Sequence, residues 1–93
     1  MKKSIHTPEY DAVRNKLVDM RREAGLTQRQ LAEKLQRENS FVWRIEKGER
    51  RLDIVEFFWV CNALGQDADL VYRELCNAFG RPDPISENGK NNS

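Results

Sequence analysis

Four glycines fall where four runs of helical periodicity stop, and that punctuation leaves room for little except a short bundle of helices. Thr7-Pro8-Glu9 supplies an N-cap, a proline at the first helical position and an acid in the first turn. Tyr10, Val13, Leu17, Met20 and Ala24 then recur every three to four residues until Gly25. Thr27 with Gln30 forms a capping box, and Leu31, Ala32 and Leu35 give a short second helix its apolar side. A third helix is expected over residues 38–47, with Val42 and Ile45 inward and Gly48 as its stop. Asp53 with Glu56 forms another capping box, opening a fourth helix whose Ile54, Phe57, Phe58, Cys61 and Leu64 are expected to point inward until Gly65. The fifth starts near Asp67, draws its buried side chains from Leu70, Val71, Leu75 and Phe79, and stops at Gly80.

No stretch alternates with period two, none concentrates Val, Ile and Thr, and none repeats, so the expected fold class is all-α with five helices. The expected organisation is a flexible N-terminus over residues 1–7, one domain over 8–80 and a disordered tail over 81–93, where "RPDPISENGKNNS" has almost nothing apolar to bury. Ninety-three residues with 39% hydrophobic content support one modest core. The longest apolar run, around residues 54–64, is broken by Glu56 and Asn62 and is shorter than the roughly 20 residues that span a bilayer. Lys2 and Lys3 are followed by no apolar segment, unlike a secretory signal, so a cytoplasmic protein is expected. Cys61 and Cys76 sit in apolar helical surroundings as small hydrophobes, and with no CxxC and one histidine, neither a metal nor another cofactor is expected. Without a Gly-rich phosphate loop or clustered acids, no enzymatic activity is expected either.

Net charge is +1, but its distribution is uneven. Residues 14–51 hold eleven Lys or Arg against six Asp or Glu, a balance of +5, while residues 52–93 hold three against seven, a balance of −4. A local basic excess of this kind suits a solvated mixed-charge face or a surface for a polyanion. The third helix points to the second. With Val42 and Ile45 inward and 100° per residue, Asn39, Ser40, Trp43, Arg44 and Lys47 lie away from the core. Asn pairs with adenine, Arg with guanine and Ser with either, while an exposed indole meets a thymine methyl or a sugar. Thr27-Gln28 places the start of the second helix, with its backbone N–H groups and the Gln28 amide, where a phosphate would sit. Arg29, Lys47, Arg50 and Arg51 flank the same surface as candidate phosphate contacts. The helices at 27–35 and 38–47 are joined by two or three residues around Gln36 and Arg37, which forces the tight angle of a helix-turn-helix.

These residues carry a resemblance. Leu17 with Arg21, Gly25-Leu26-Thr27-Gln28, Leu31-Ala32, Leu35, the run Ser40-x-Val42-x-x-Ile45-Glu46-x-Gly48 and Ala63-Leu64-Gly65 resemble the Cro and phage-repressor type helix-turn-helix family, also called the xenobiotic-response-element family, over about residues 10–75. "SFVWRIEKGERRLDIVEF" is similar to a bacterial subgroup of it. The resemblance implies a five-helix lambda-repressor-like domain, double-stranded operator DNA as ligand, and a homodimer. It implies a phosphate contact for Gln28, base reading for Asn39, Ser40 and Arg44, and a buried ion pair between Arg21 and Glu46 that ties the first helix to the third. Three positions depart from the family pattern: Gln36 where glycine is usual, Glu38 where Ser, Thr or Pro opens the recognition helix, and Trp43 where a small residue is usual. Because glutamate caps poorly, Asn39 becomes a second candidate for the cap.

The expected function is sequence-specific DNA binding by a bacterial or phage transcriptional regulator, repressing by promoter occupancy. The alternative is an antitoxin or adaptor acting through protein contacts, with Trp43, Trp59, Tyr72 or Phe79 docking the partner. For the homodimer, Trp59 and Val60 with Tyr72, Cys76 or Phe79 are expected as an apolar surplus, mainly on the fifth helix.

Overall fold

The structure, a computed structural model, describes residues 7–80 as five helices: α1 (Pro8–Glu23), α2 (Gln28–Lys34), α3 (Ser40–Lys47), α4 (Ile54–Ala63) and α5 (Ala68–Ala78). No strand occurs among the described residues. The flexibility expected of residues 1–6 and the disorder expected of 81–93 lie outside the described residues.

Local chemistry fixes the helix ends. The Thr7 hydroxyl accepts from Tyr10 N–H at 3.1 Å, with Pro8 inside the first turn. Thr27 and Gln30 exchange side chain and backbone bonds, and so do Asp53 and Glu56, so both expected capping boxes are present. Thr7 is thus the cap of α1.

One core joins all five helices. Leu17 and Met20 of α1, Leu31 and Ala32 of α2, Val42 and Ile45 of α3, Phe57, Val60 and Cys61 of α4, and Val71 and Leu75 of α5 are buried together with Leu64. α2 packs on α3, α1 on α3 and α5, and α4 on α5. Each fully buried large apolar side chain in this cluster contributes about 1.5–3 kcal/mol relative to leaving it exposed. Burial pushes the Cys61 thiol up to about 11. Both cysteines are free.

Several inward assignments need correction. Phe41, which the helical period places one position from Val42 and four from Ile45, is among the most deeply buried side chains of the domain. On α4, Ile54 is 74% exposed and Phe58 52% exposed, whereas Val60, expected at the surface, is buried. The reason is geometric: α4 is apolar on both sides, and the side carrying Phe57, Val60, Cys61 and Leu64 takes the core. On α5, Val71 and Leu75 face inward, Phe79 is half-buried, and Leu70 stays outside.

No helix of the described residues is long and apolar enough to cross a membrane.

Candidate nucleic-acid interface

The connection between α2 and α3 is longer than expected, because Leu35 caps α2 and α3 opens at Ser40 rather than at Glu38. Within it, Gln36 has φ 57°, the one left-handed non-glycine conformation among the described residues. The turn is closed by Gln36 N–H to the Glu33 carbonyl and Arg37 N–H to the Ala32 carbonyl, both 3.0 Å. A side chain in this backbone region costs about 1 kcal/mol or more relative to glycine. Asn39 takes the cap position of α3, yet with φ −57° and ψ −33° it is already helical, and its side chain makes no capping bond. The first bond of the helix runs instead from Phe41 N–H to the Glu38 carbonyl at 3.0 Å. The Asn39 amide is therefore not consumed by the cap.

α3 divides cleanly between inside and outside. Phe41, Val42 and Ile45 are buried, while Asn39, Ser40, Trp43, Arg44 and Lys47 are exposed along the opposite side. Trp43 is 42% exposed, and the Lys47 ammonium lies over its ring at 4.6 Å from the centroid. This contact orders two long side chains beside one another at the C-terminal half of the helix, with the indole edge and the charge facing the same solvent.

Behind that face, α3 is tied to α1 by an ion pair and to α2 by a hydrogen bond to the same carboxylate. Arg21 Nε donates to Glu46 Oε2 at 2.6 Å and Arg21 Nη2 to Glu46 Oε1 at 3.0 Å, while Nη1 donates to the Leu26 carbonyl at 2.8 Å. The Glu46 side chain is 8% exposed. Gln28 Nε2 donates to Glu46 Oε1 at 2.7 Å, so the amide read as a phosphate contact is held against this pair, at the edge where α2 meets α3. Arg14 Nη1 donates to the Glu46 carbonyl at 3.0 Å and adds a second link from α1.

The flanking cations differ among themselves. Arg29 is exposed, 4.0 Å from Glu33 one turn away. The Arg51 guanidinium lies 5.4 Å from the Tyr10 ring centroid. Arg50 is turned back to the protein: Nη1 donates to Glu56 Oε1 at 2.9 Å and Nη2 to Glu56 Oε2 at 2.8 Å. Arg37 Nη1 reaches the same carboxylate at 3.5 Å. These charge-assisted bonds, that from Arg50 foremost, hold Glu56 down at about 2, and Glu56 in turn raises Arg50. Tyr10 pins the loop that carries Arg50, donating its hydroxyl proton to the Arg50 carbonyl at 2.9 Å and accepting from Leu52 N–H at 3.2 Å. Burial raises the Tyr10 phenol above its ordinary value.

Sequence reasoning missed Phe41, Arg37 and the second role of Glu56. The 41, 42, 45 spacing was sufficient to place Phe41; nothing local signals that Arg37, nineteen positions before Glu56, shares its carboxylate.

Residues 14–84 match the family described as "Helix-turn-helix domain". Among solved structures, an XRE-family like protein from Pseudomonas syringae pv. tomato str. DC3000 is 38% identical, with 84% of this chain and 95% of that chain covered and a TM-score of 0.73. This chain belongs to the XRE family of helix-turn-helix proteins. The fold of this XRE-family protein is also that of a point mutant of the restriction-modification controller protein C.Esp1396I, at 23% identity, 83% and 98% coverage and a TM-score of 0.71. No curated protein matches the chain.

Proposed function

We propose that this XRE-family protein is a DNA-binding transcriptional regulator that lays α3 in the major groove and represses by occupying a promoter. The observation that carries the reading is the exposed row Asn39, Ser40, Trp43, Arg44 and Lys47, backed by the buried Phe41, Val42 and Ile45 and locked by Arg21–Glu46. In this reading Asn39, Ser40 and Arg44 meet base edges, and Trp43 fills groove space against a thymine methyl or a sugar. Arg29, Lys47, Arg51 and the helix start at Gln28 face phosphates. Arg50 and Glu46 act by holding the helix.

The protein acts in the cytoplasm as a homodimer, with its two recognition helices about one helical turn, ~34 Å, apart on a pseudo-palindromic site. What supports the dimer is the apolar outer side of α4, where Ile54, Val55, Phe58 and Trp59 are all about half exposed or more, with Leu70 and Tyr72 similarly exposed on α5. Isolated apolar residues are ordinary at a surface, but a row of four along one side of α4 marks an interface. The same row is the observation that favours the second reading, an antitoxin or adaptor that docks another protein there.

Selection of bound duplexes from a random pool, followed by affinity against salt concentration, tests the proposal. Recovery of a two-fold symmetric site and a steep negative salt slope are expected. A pool with no enriched sequence contradicts DNA reading. A monomer by light scattering at micromolar concentration contradicts the dimer.

A further inference from the structure

We propose that Glu56 is a positioning residue for DNA reading: through Arg37 and Arg50 it clamps both ends of α3 and keeps those two arginines off phosphates, so that sequence discrimination depends on it. The inference rests on the DNA-reading orientation of α3 proposed above.

The two arginines come from opposite sides of the helix in sequence. Arg37 lies in the turn before α3, and Arg50 in the loop after it. Their guanidinium carbons stand 4.0 and 5.0 Å from the ring centroid of the same residue, Phe41, on the buried side of α3. Both reach the carboxylate of Glu56, whose side chain is 8% exposed. Glu56 is itself fixed, since Oε1 accepts from Asp53 N–H at 3.0 Å and Glu56 N–H donates to Asp53 Oδ1 at 2.8 Å in the capping box of α4. The rigid N-terminus of α4 thus reaches across Phe41 to the entry and the exit of the candidate reading helix. A capping glutamate needs only one oxygen for its cap; this one uses the rest of its acceptor capacity on two cations flanking the DNA-facing surface. Held bidentately, Arg50 is oriented away from a duplex backbone that would otherwise attract it at any sequence.

Glu56→Gln separates these roles, because the amide oxygen still accepts from Asp53 N–H while the charge that gathers Arg37 and Arg50 is lost. The readouts are affinity for the selected operator and for a random-sequence duplex of equal length, each against salt, at equal folded fraction by circular dichroism. The operator-to-random ratio is expected to fall about tenfold, and the salt slope on random duplex to steepen by about one, as a released guanidinium finds a phosphate. A domain that is only less stable would lose both affinities alike and keep its slope. An unchanged ratio and slope overturn the proposal. If Glu56→Gln does not fold, Arg37→Met, which keeps an aliphatic side chain in the turn but removes the guanidinium from both Phe41 and Glu56, is expected to lower the ratio about threefold, and an unchanged ratio there is equally fatal. Hydrogen exchange on the free protein tests the clamp without DNA: in either variant, amides of α3 lose protection selectively relative to those of α1. If the wild type shows no preferred sequence, the DNA reading fails, and uniform rather than selective loss of protection then overturns the clamp separately.

Discussion

α3 and α4 are neighbours in sequence, similar in length, and built on opposite plans. α3 has one apolar side, Phe41, Val42 and Ile45, and a polar side from Asn39 to Lys47. α4 has two apolar sides, one with Phe57, Val60 and Cys61 in the core, and one with Ile54, Val55, Phe58 and Trp59 in solvent. A one-sided helix declares its orientation, and a two-sided one declares only that something covers it. The first plan suits a polar, charged ligand, and the second suits another protein surface.

The comparison breaks first at paired phenylalanines. Phe57→Ala and Phe41→Ala, each emptying a core position, are expected to destabilise by about 3–5 kcal/mol in urea or thermal unfolding. Glu46→Ala belongs to the same class, about 3–5 kcal/mol, because it leaves Arg21 buried without its partner. These variants lose DNA binding by unfolding. A milder and different loss is expected from the outer side of α3: Arg44→Ala leaves stability nearly unchanged and weakens discrimination at one base pair by about 1–3 kcal/mol. Next, Gln36→Gly relieves the left-handed backbone at φ 57° and is expected to stabilise by about 1 kcal/mol, read as a rise in midpoint temperature. Smallest of all is Phe58→Ala, adjacent to Phe57: within about 0.5 kcal/mol for the isolated monomer, yet with dimer mass lost in light scattering. A loss of several kcal/mol at Phe58 in the monomer would place that side chain in the core and erase the two-sided description of α4.

Acid titration sharpens the link between the two helices. Glu56 is held at about 2 against an ordinary 4.5, so its stabilising effect is complete above about pH 4.5 and disappears as pH falls through about 2. The stability difference between wild type and Glu56→Gln is therefore expected to shrink across that window in urea melts. A difference independent of pH there would mean that the carboxylate charge contributes nothing.

The comparison also explains what could be read in advance. Helix ends were legible because Thr7, Thr27-Gln30 and Asp53-Glu56 act within one turn of themselves. The outward set on α3 was legible because the polar and apolar residues there separate at 100° per residue; only Phe41 escaped, although it shares the stripe of Val42 and Ile45. On α4 the same procedure misplaced Ile54, Phe58 and Val60, because periodicity cannot rank two apolar sides and only tertiary packing chooses between them. The start of α3 shifted from Glu38 to Ser40 because a left-handed Gln36 lengthens the turn, a choice of backbone that no local residue type at 36–39 dictates. The link from Arg37 and Arg50 to Glu56 was invisible for a further reason: it exists only once Phe41 has brought the turn, the loop and α4 together.

The central claim, that the exposed side of α3 reads base edges, is tested most directly by a double-mutant cycle between protein and operator. Affinities are measured for wild type and Arg44→Ala on the selected operator and on operators carrying each single base-pair change. One G·C position is expected to matter to the wild type and to become indifferent in Arg44→Ala, with a coupling of about 1–3 kcal/mol at that position alone. An Arg44→Ala variant that is folded and weakens every duplex by the same factor, with no position coupled to it, would contradict base reading by this helix.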